Sequence, residues 1–270
     1  MKKFLKIFIV VIIILLIIGV VIFGMNNSKK KDENTLVIGM DDSFPPMGFR
    51  NENNEIVGFD IDFANEVCKE LGMNLEIQTI SWAAKEQELD SGNIDCIWNG
   101  FAKTEEREEA MTLSEPYIRS EMLFLVNKDS EYESQESLQD KKVGVQAGSS
   151  GQKDLENSDF GKGLEEIVQY GDYLSALMDL ETGNIDGVFI SAINANYLKQ
   201  TNGKDFKQIK SEGISTAQGM VIAYKKGNTE LRDKIQEVTD KLIENGKMQQ
   251  ISQKWFGDDL IAKKDEGENN

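Results

Sequence analysis

One arginine offers the clearest candidate chemistry in this sequence. Arg107 lies three residues after Thr104, which we expect to cap a new helix. The free backbone N–H groups of a helix N-terminus and a planar guanidinium both suit a carboxylate. The alternative is an ordinary surface arginine that pairs with Glu108 or Glu109. The sequence therefore predicts either a carboxylate-binding residue or a surface ion pair at Arg107.

A second group that suits an anion lies further along the chain. Gly148, Ser149 and Ser150 stand between an apolar strand pattern at 143–147 and a predicted helix. Such a turn offers backbone N–H groups and hydroxyls to an anion. Helix capping by Ser150 is the competing explanation. Gln146, just before the turn, is expected to face the same space.

Composition excludes several kinds of chemistry. The 270-residue chain has no histidine, so it forms no histidine-based catalytic triad and no zinc site that needs imidazole. Two cysteines, Cys68 and Cys96, are too few for a disulfide scaffold or a four-thiolate zinc site. We interpret them as small buried hydrophobic residues, with a disulfide outside the cell as the alternative. No metal or other cofactor is predicted.

Charge is distributed unevenly along the chain. The formal net charge is −17, from 30 basic and 47 acidic residues. Residues 1–31 contain six of the lysines and no acid, so the remaining 239 residues carry 24 basic and 47 acidic residues, a net charge of −23. A body this acidic lacks the basic surface that nucleic acids attract.

The first residues predict a membrane-directing segment. Residues 7–23 are seventeen consecutive apolar residues, close to the roughly 20 that span a bilayer. We predict that residues 1–25 form a retained membrane anchor, with a cleaved signal peptide as the alternative. Residues 26–34 are short and polar and are predicted to be a tether, and residues 259–270 are predicted to be a disordered tail.

The elements that must position these polar groups alternate between strand and helix, which predicts an α/β fold. Residues 36–40 and 75–80 are apolar strand patterns. Between them, helical spacing runs from Asp60, a candidate cap, to Gly72, which ends the helix. Ser81 is predicted to cap the next helix.

An internal repeat predicts two similar lobes. The motif Leu-x-Ser-Gly-Asn-Ile-Asp at 89–95 recurs as Leu-x-Thr-Gly-Asn-Ile-Asp at 180–186, an offset of 91 residues. In both copies a helix is expected to end at glycine and a buried strand to begin two residues later. Residues 122–128 and 220–226 form a second pair, each an apolar strand pattern that ends in lysine. Small ligands commonly bind in a cleft between two such lobes.

Ordered motifs along most of the chain carry a family resemblance. They are, in order, Gly39-x-Asp41-x-x-Phe44-Pro45-Pro46-Met47-x-Phe49, Gly58-Phe59-Asp60-Ile61-Asp62, Leu89-x-x-Gly92-x-Ile94-Asp95, Asn99-Gly100-Phe101-Ala102-Lys103-Thr104-Glu105-Glu106-Arg107, Ser114-Glu115-Pro116-Tyr117, Val143-Gly144-Val145-Gln146-Ala147-Gly148-Ser149, Gly183-Asn184-Ile185-Asp186 and Lys254-Trp255-Phe256-Gly257. Over about residues 35–257, the set resembles the extracytoplasmic solute-binding proteins of amino-acid ABC transporters.

The resemblance implies a fold and its division into lobes. The implied fold is the two-lobe, type II periplasmic-binding-protein fold, in which each lobe is a central sheet flanked by helices and two crossovers join the lobes. We place lobe 1 at 35–126 and 220–258, and lobe 2 at 127–219.

The resemblance also assigns roles to polar residues of the site. It implies that Arg107 binds the α-carboxylate of the ligand, with the N–H of Ala102 and the carbonyl of Gly100 nearby. It implies a second contact to the same carboxylate from Ser149, with Ser150 beside it.

Aromatic and polar residues of lobe 1 are further candidates. Asp41 and Phe44 follow the first strand, where α/β sheets place ligands. The resemblance implies that Phe44 lies against the ligand and that Asp41 lines the cleft, although lobe core remains the alternative for Phe44. Asn99 ends a buried strand, where a ligand contact and a purely structural role both remain open. Trp98 and Phe101 flank the same loop and either stack on the ligand or pack in the core.

The sequence departs from the family at one position. The family commonly has an aspartate shortly after the Ile-Asp strand of the second lobe, which pairs with the α-ammonium of the ligand, and Ser191 stands there. Burying an ammonium without a carboxylate is costly. Either another acid substitutes, with Asp41 the nearest candidate, or hydroxyl and carbonyl groups suffice, or the ligand is not a standard α-amino acid.

We therefore predict a monomeric binding protein without enzymatic activity. It would capture a polar amino acid and deliver it to the permease and ATPase subunits of an ABC transporter, held at the extracytoplasmic face of the cell membrane. Two alternatives share the fold. One is a ligand-sensing module, and the other is a dehydratase-type enzyme, which would need a carboxylate or lysine with a perturbed pKa in the cleft, such as Asp41 or Lys103.

Overall fold

The structure, a computed structural model, describes residues 34–201, 206–214 and 218–262. The chain divides into two compact units, 1–35 and 36–270, and the elements described below belong to the second from Leu36 onward. The predicted anchor at 1–25, nearly all of the predicted tether and residues 263–270 lie outside the described residues. None of the helices in the described ranges is long and apolar enough to cross a membrane.

Two mixed β-sheets form the centres of two lobes, so the predicted fold class is confirmed. From one edge to the other, the first sheet contains β5 (Asn74–Thr79), β1 (Thr35–Met40), β6 (Cys96–Ala102), β14 (Gln218–Tyr224) and β7 (Thr112–Leu113), with β8 (Ile118–Ser120) also paired to β14. The second contains β11 (Glu166–Tyr170), β10 (Lys142–Gln146), β12 (Gly187–Ser191), β9 (Met122–Asn127) and β13 (Phe206–Lys210). A small antiparallel sheet joins β2 (Ser43–Phe44), β3 (Gly48–Arg50) and β4 (Ile56–Val57).

Helices pack against these sheets and supply most of the loops that reach the site. In chain order they are α1 (Phe59–Leu71), α2 (Lys85–Ser91), α3 (Glu105–Ala110), α4 (Ser150–Asn157), α5 (Asp159–Lys162), α6 (Tyr173–Thr182), α7 (Ala192–Thr201), α8 (Thr229–Glu244) and α9 (Lys247–Phe256). Short 3-10 turns span Trp82–Ala84 and Gln135–Leu138.

Alternation along the strands fills a core on each face of each sheet. In β9, Leu123 and Leu125 pack into one buried cluster, whereas Phe124 and Val126 pack into the cluster on the opposite face. Successive side chains of a strand point to opposite faces, and helices cover both. The central strands are therefore continuous apolar runs rather than alternating apolar and polar residues.

The repeated motif has the same structural role in both lobes. Gly92 and Gly183 end their helices in the left-handed conformation, with φ of 78° and 74°. The aspartates that follow, Asp95 and Asp186, accept hydrogen bonds from backbone N–H groups of β1 at 2.8 Å and of β10 at 3.0 Å. The sequence repeat is thus a structural repeat. In each lobe a helix ends at glycine, an aspartate accepts a hydrogen bond from the neighbouring strand, and β6 or β12 follows.

The boundary between the lobes differs from the predicted one. Residues 122–126, which we placed in lobe 1, belong to β9, and this strand pairs with β12 and β13 of the second sheet. The strand β14 begins at Gln218, two residues before its predicted start, and pairs with β6 and β8 of the first sheet. An apolar run predicts a buried strand. Because helices cover both faces of both sheets, such a strand could belong to either sheet, and the run does not indicate which one.

The predicted disordered tail also begins too early. Ile261 is buried and forms a β-bridge with Ile118, and the N–H of Ala262 donates to the carbonyl of Tyr117 at 2.9 Å. Residues 260–262 are therefore packed against the first lobe, because apolar side chains and a backbone pairing hold them there.

Two predicted helix caps are wrong. The N-cap of α1 is Gly58, with φ of 147°, and Asp60 is buried as the second residue of the helix. A Cβ on Gly58 would lie 2.3 Å from the carbonyl oxygen of Met47, so this position has no room for a capping side chain. Ser81 makes no capping hydrogen bond and precedes a 3-10 turn instead.

Both cysteines belong to the core of the first lobe. Cys68 and Cys96 are buried there, and no disulfide joins them. Burial raises the pKa of the Cys68 thiol to about 11. The prediction that they act as small buried hydrophobic residues is confirmed.

Candidate functional site

A cavity lies between the two lobes, at the carboxyl ends of strands from both sheets. It occupies about 690 Å³ when the open space at its mouth is included. Nine of the ten predicted binding residues line it, namely Phe44, Asn99, Gly100, Ala102, Arg107, Gln146, Ser149, Ser150 and Ser191.

Arg107 is a buried cation in the wall of this cavity. Its side chain donates from Nη1 to the carbonyl of Ala102 at 2.7 Å, and its guanidinium carbon lies 4.0 Å from the centre of the Phe101 ring. Only 8% of the residue is exposed. Burial lowers the pKa of Arg107 to about 10, so the guanidinium remains charged at neutral pH.

The surface ion pair considered for Arg107 is not observed with Glu108. That carboxylate pairs with Nζ of Lys103 at 2.7 Å. The predicted cap is confirmed, because the Thr104 hydroxyl oxygen accepts a hydrogen bond from the N–H of Arg107 at 3.2 Å. This cap starts α3 directly after β6 and thereby turns Arg107 inward.

The end of β6, shortly before Arg107, is held by a buried carboxylate. Gly100 has φ of 57°, and its N–H donates to Oδ2 of Asp60 at 2.7 Å. A Cβ on Gly100 would lie 2.7 Å from the Phe44 ring, so the close approach of that ring requires glycine. Asn99 accepts a hydrogen bond from the N–H of Asp41 at 3.3 Å, and its side-chain Nδ2 has no hydrogen-bond partner within the described ranges. An amide donor is thus left beside the cavity.

Replacing Asp60 with asparagine should flatten the pH dependence of stability. Burial raises the pKa of Asp60 from 3.8 to about 7, against the lowering effect of hydrogen bonds such as that from Gly100. The protonated form is therefore favoured by folding, so the Asp60 contribution to the free energy of unfolding is complete below about pH 4 and is lost as the pH rises through about 7. Asp60→Asn cannot titrate and should remove this part of the slope in urea unfolding between pH 4 and 8.

The control for that experiment is Asp90→Asn, at an exposed position of α2. It should leave the slope unchanged. An identical slope in Asp60→Asn and the wild-type chain would contradict the assigned role of the buried carboxyl.

The second lobe supplies hydroxyl groups to the opposite wall. Ser149, not Ser150, caps α4, because its Oγ accepts from the N–H of Gln152 at 3.0 Å. The Ser150 side chain lines the cavity from the first turn of that helix. Ser191 lines it at the end of β12, and its Oγ lies 2.8 Å from Oγ of Ser120, which belongs to the first sheet.

Asp41 lies behind the wall rather than in it, which corrects the prediction that it lines the cleft. Its carboxylate accepts hydrogen bonds from Nε2 of Gln146 at 2.5 Å and from the N–H of Ser43 at 2.9 Å. Burial raises the pKa of Asp41 to about 6, and these two hydrogen bonds oppose that rise. The Gln146 amide is the group that reaches the cavity in its place.

Direct contacts join the two lobes around the cavity. Lys85 of the first lobe, 2% exposed, donates from Nζ to its own lobe at the carbonyl of Trp82, 3.2 Å away, and to the second lobe at the carbonyl of Gly148, 2.9 Å away. Further contacts across the cleft are the Gln146–Asp41 hydrogen bond, the hydrogen bond from Asn194 to the Pro45 carbonyl at 2.5 Å, and the Phe44 and Tyr173 rings, 5.8 Å apart. The lobes are therefore closed on one another.

Several cavity residues were missed from the sequence. They are Trp82, Ser120, Met122, Gly151, Asp154, Tyr173 and Met220. Trp82 and Tyr173 follow the ends of β5 and β11, so applying the strand-end rule to every strand would have nominated them. Met122 and Met220 lie in apolar strands and have no sequence signal that separates them from core residues.

The two aromatic residues left open by the sequence do not line the cavity. Trp98 is fully buried, with its ring centre 4.8 Å from that of Phe63. Phe101 is also fully buried, and its face supports the guanidinium of Arg107. Both therefore pack in the core.

Comparison with known proteins places this geometry in a family. The family model described as bacterial extracellular solute-binding proteins, family 3, matches residues 36–258. The L-cystine-binding protein TcyJ of Escherichia coli is 29% identical over 232 residues, which cover 85% of each chain. A putative ABC transporter arginine-binding protein 2 of the same species is 32% identical over 231 residues, covering 82% of this chain and 90% of that one.

A solved structure agrees in both fold and sequence. An ABC uptake transporter substrate-binding protein from Streptococcus pneumoniae, determined with bound histidine, matches with a TM-score of 0.81. It is 36% identical, and the match covers 85% of this chain and 95% of that one. With its two sheets, its inter-lobe cavity and a family match over nearly all of the described body, this chain belongs to the bacterial extracellular solute-binding proteins of family 3.

Proposed function

We propose that this protein captures a free α-amino acid in the inter-lobe cavity and delivers it to the membrane subunits of an ABC transporter. One observation carries the proposal. The buried guanidinium of Arg107 faces a cavity whose opposite wall presents the hydroxyls and helix N-terminus of Ser149 and Ser150. Charge-assisted hydrogen bonds from a guanidinium suit a carboxylate, and backbone N–H groups at a helix N-terminus add to them.

The named relatives support the amino-acid class. Their names or titles state cystine, arginine or histidine as ligands, and all three share the α-carboxylate that Arg107 would bind. Because the walls come from both lobes, a ligand that touches both should favour the closed form. The closed form differs in shape from the open form. A permease that binds the closed form would therefore recognise the protein when it carries its ligand.

The site is proposed to bind without converting its ligand. The two groups considered for dehydratase-type chemistry are engaged elsewhere. Asp41 is held by Gln146 and Ser43, and Lys103 pairs with Glu108. This supports binding over catalysis, because an acid or base must reach the proton that it transfers.

Location and assembly are part of the proposal. The acidic body would stand as a monomer on the extracytoplasmic side, held by the apolar segment at residues 7–23. Intact mass of the cell-associated protein would separate a retained anchor from a cleaved signal peptide, because cleavage removes about 25 residues of known mass.

Calorimetry and thermal melting of the purified full-length chain in mild detergent test the function. We expect at least one of the twenty common amino acids or cystine to bind with micromolar or tighter affinity and to raise the melting temperature. The ligand should be recovered unchanged after release. Chemical conversion of the ligand during incubation would contradict the binding role.

A further inference from the structure

We infer that the cavity selects amino acids whose side chains are uncharged, and that Asp154 holds the α-ammonium of the ligand. The inference rests on the proposed function, because it takes an amino acid to be bound at Arg107. It answers the question raised by Ser191, which leaves the usual position of the ammonium partner without a carboxylate.

The cavity wall carries one positive and one negative side chain. Among the described residues that line it, Arg107 is the only base and Asp154 the only acid. They come from different lobes, since Arg107 belongs to α3 and Asp154 lies one turn into α4, after Ser150. Both side chains line the same cavity, and the carboxylates of Glu86 and, to a smaller extent, Asp154 raise the pKa of Arg107 against the larger, opposite effect of burial.

This pair matches the charges of a zwitterion. The carboxylate and the ammonium of an amino acid are attached to one carbon atom, so neighbouring cationic and anionic side chains can bind both groups. The side chains of Arg107 and Asp154 together have a net charge of zero. An amino acid with an uncharged side chain is a zwitterion and also has a net charge of zero, so the cavity stays neutral when it binds. Arginine or lysine would add a buried positive charge, and glutamate a buried negative one, at a considerable desolvation cost.

The nearest other charged groups are engaged behind the wall. The Asp41 carboxylate accepts hydrogen bonds from Gln146 and Ser43. The Lys85 ammonium donates to two backbone carbonyls and lies 3.7 Å from the carboxylate of Glu86. A cationic ligand side chain would have to displace the Gln146 amide to reach Asp41.

The rest of the wall suits an uncharged side chain. It presents aromatic rings and thioethers from both lobes, namely Phe44, Trp82, Met122, Tyr173 and Met220. Thioethers and ring faces adapt to apolar or weakly polar groups. The paired hydroxyls of Ser120 and Ser191 add a small polar patch without charge.

A ligand panel tests the selectivity. Calorimetry on the full-length chain would compare L-methionine, L-glutamine and L-phenylalanine with L-arginine, L-lysine and L-glutamate. We expect the tightest binder to be uncharged in its side chain and to bind at least about tenfold tighter than any of the charged three. Tightest binding of arginine, lysine or glutamate, abolished by Arg107→Ala, overturns this inference alone. If neither these six nor any other amino acid binds, the proposed function is overturned as well.

Removing the Asp154 charge tests its contact with the ammonium. Asp154→Asn should weaken the tightest-binding amino acid of the panel by about tenfold, the size of one charge-assisted hydrogen bond. The same compound without its amino group, for example 3-phenylpropionate for L-phenylalanine, should bind the variant no more weakly than the wild-type chain. The matched control is Asp159→Asn, at an exposed position that pairs with Lys162 at 2.9 Å. Equal weakening of both compounds, or of neither, overturns the role of Asp154.

A second variant adds a charge instead of removing one. Ser191→Asp places a further carboxylate on the wall, so the site should now accept a ligand with one additional positive charge. We expect the affinity for arginine to rise at least about tenfold relative to that for L-glutamine, which has the same α-ammonium but no side-chain charge. An unchanged or lower ratio in a variant that melts as the wild-type chain does would contradict charge matching in this cavity.

Discussion

Replacing Arg107 with alanine lowers the affinity for the amino acid by at least about 1,000-fold, or roughly 4 kcal/mol, the cost of truncating one partner of a buried charge pair. The guanidinium is 8% exposed, and its partners in the protein are a backbone carbonyl and the face of Phe101. Its charge is therefore available to the carboxylate of a ligand. The variant also removes the only base among the described lining residues while Asp154 stays on the wall, so electrostatic repulsion of a carboxylate is added.

Calorimetry measures this loss, and thermal melting shows that the variant is folded. Arg50→Ala is the matched control, because Arg50 forms an exposed pair with Asp42 at 2.5 Å and should leave ligand affinity unchanged. Arg107→Lys should also bind poorly, since an ammonium lacks the planar fork that fits a carboxylate. Micromolar affinity retained by Arg107→Ala would refute the assigned role.

Replacing Lys85 with methionine weakens ligand binding by about 100-fold, or roughly 3 kcal/mol, because the charge-assisted hydrogen bond from Lys85 to the Gly148 carbonyl joins the lobes only when they are closed. Lys85 is outside the cavity lining, yet its ammonium bonds to the carbonyls of Trp82 and Gly148, one on each side of the cleft. Methionine has a similar length and keeps the packing, so the change isolates the ammonium. Burial and, to a smaller extent, the charge of Arg107 lower the pKa of Lys85 to about 8, so the ammonium form still predominates at neutral pH.

Small-angle scattering with and without the tightest-binding amino acid would show whether the lost affinity is lost closure. We expect the wild-type chain to become more compact with ligand and Lys85→Met to do so only at much higher ligand concentration. Lys69→Met serves as the control, since Lys69 forms an exposed pair with Glu66 at 3.3 Å. Equal affinities of Lys85→Met and the wild-type chain would show that the contact to Gly148 does not contribute to closure.

Local signals predicted the fold well, for physical reasons that particular residues illustrate. A helix that stops at Gly92 or Gly183 needs the left-handed backbone, and glycine adopts it without strain. The aspartate three residues later meets the neighbouring strand in both lobes. These features depend on interactions between residues close in the chain. The repeat and the alternation of strand and helix could therefore be predicted from the sequence.

Signals that depend on distant packing were less reliable. Asp60 has the residue type and position of a helix cap, but the chain near Met47 passes so close that only glycine fits at position 58. Asp60 is used instead as a buried acceptor for Gly100, 40 residues away in the chain. Residues 122–127 show the same limit, because their apolar pattern suits either sheet and only the pairing with β12 and β13 decides between them.

Residue type and order alone were enough to identify an α/β body with two related lobes and nine residues of one cavity wall, Arg107 among them, because each of these depends on neighbours within a few positions or on an ordered set of motifs. The tertiary structure decided which charges reach that cavity. Asp41 lies behind Gln146, Asp154 lines the same cavity as Arg107 from the other lobe, and Lys85 joins the two lobes. Burial and cross-lobe distance determine these outcomes, and neither quantity is encoded by the spacing of residues along the chain.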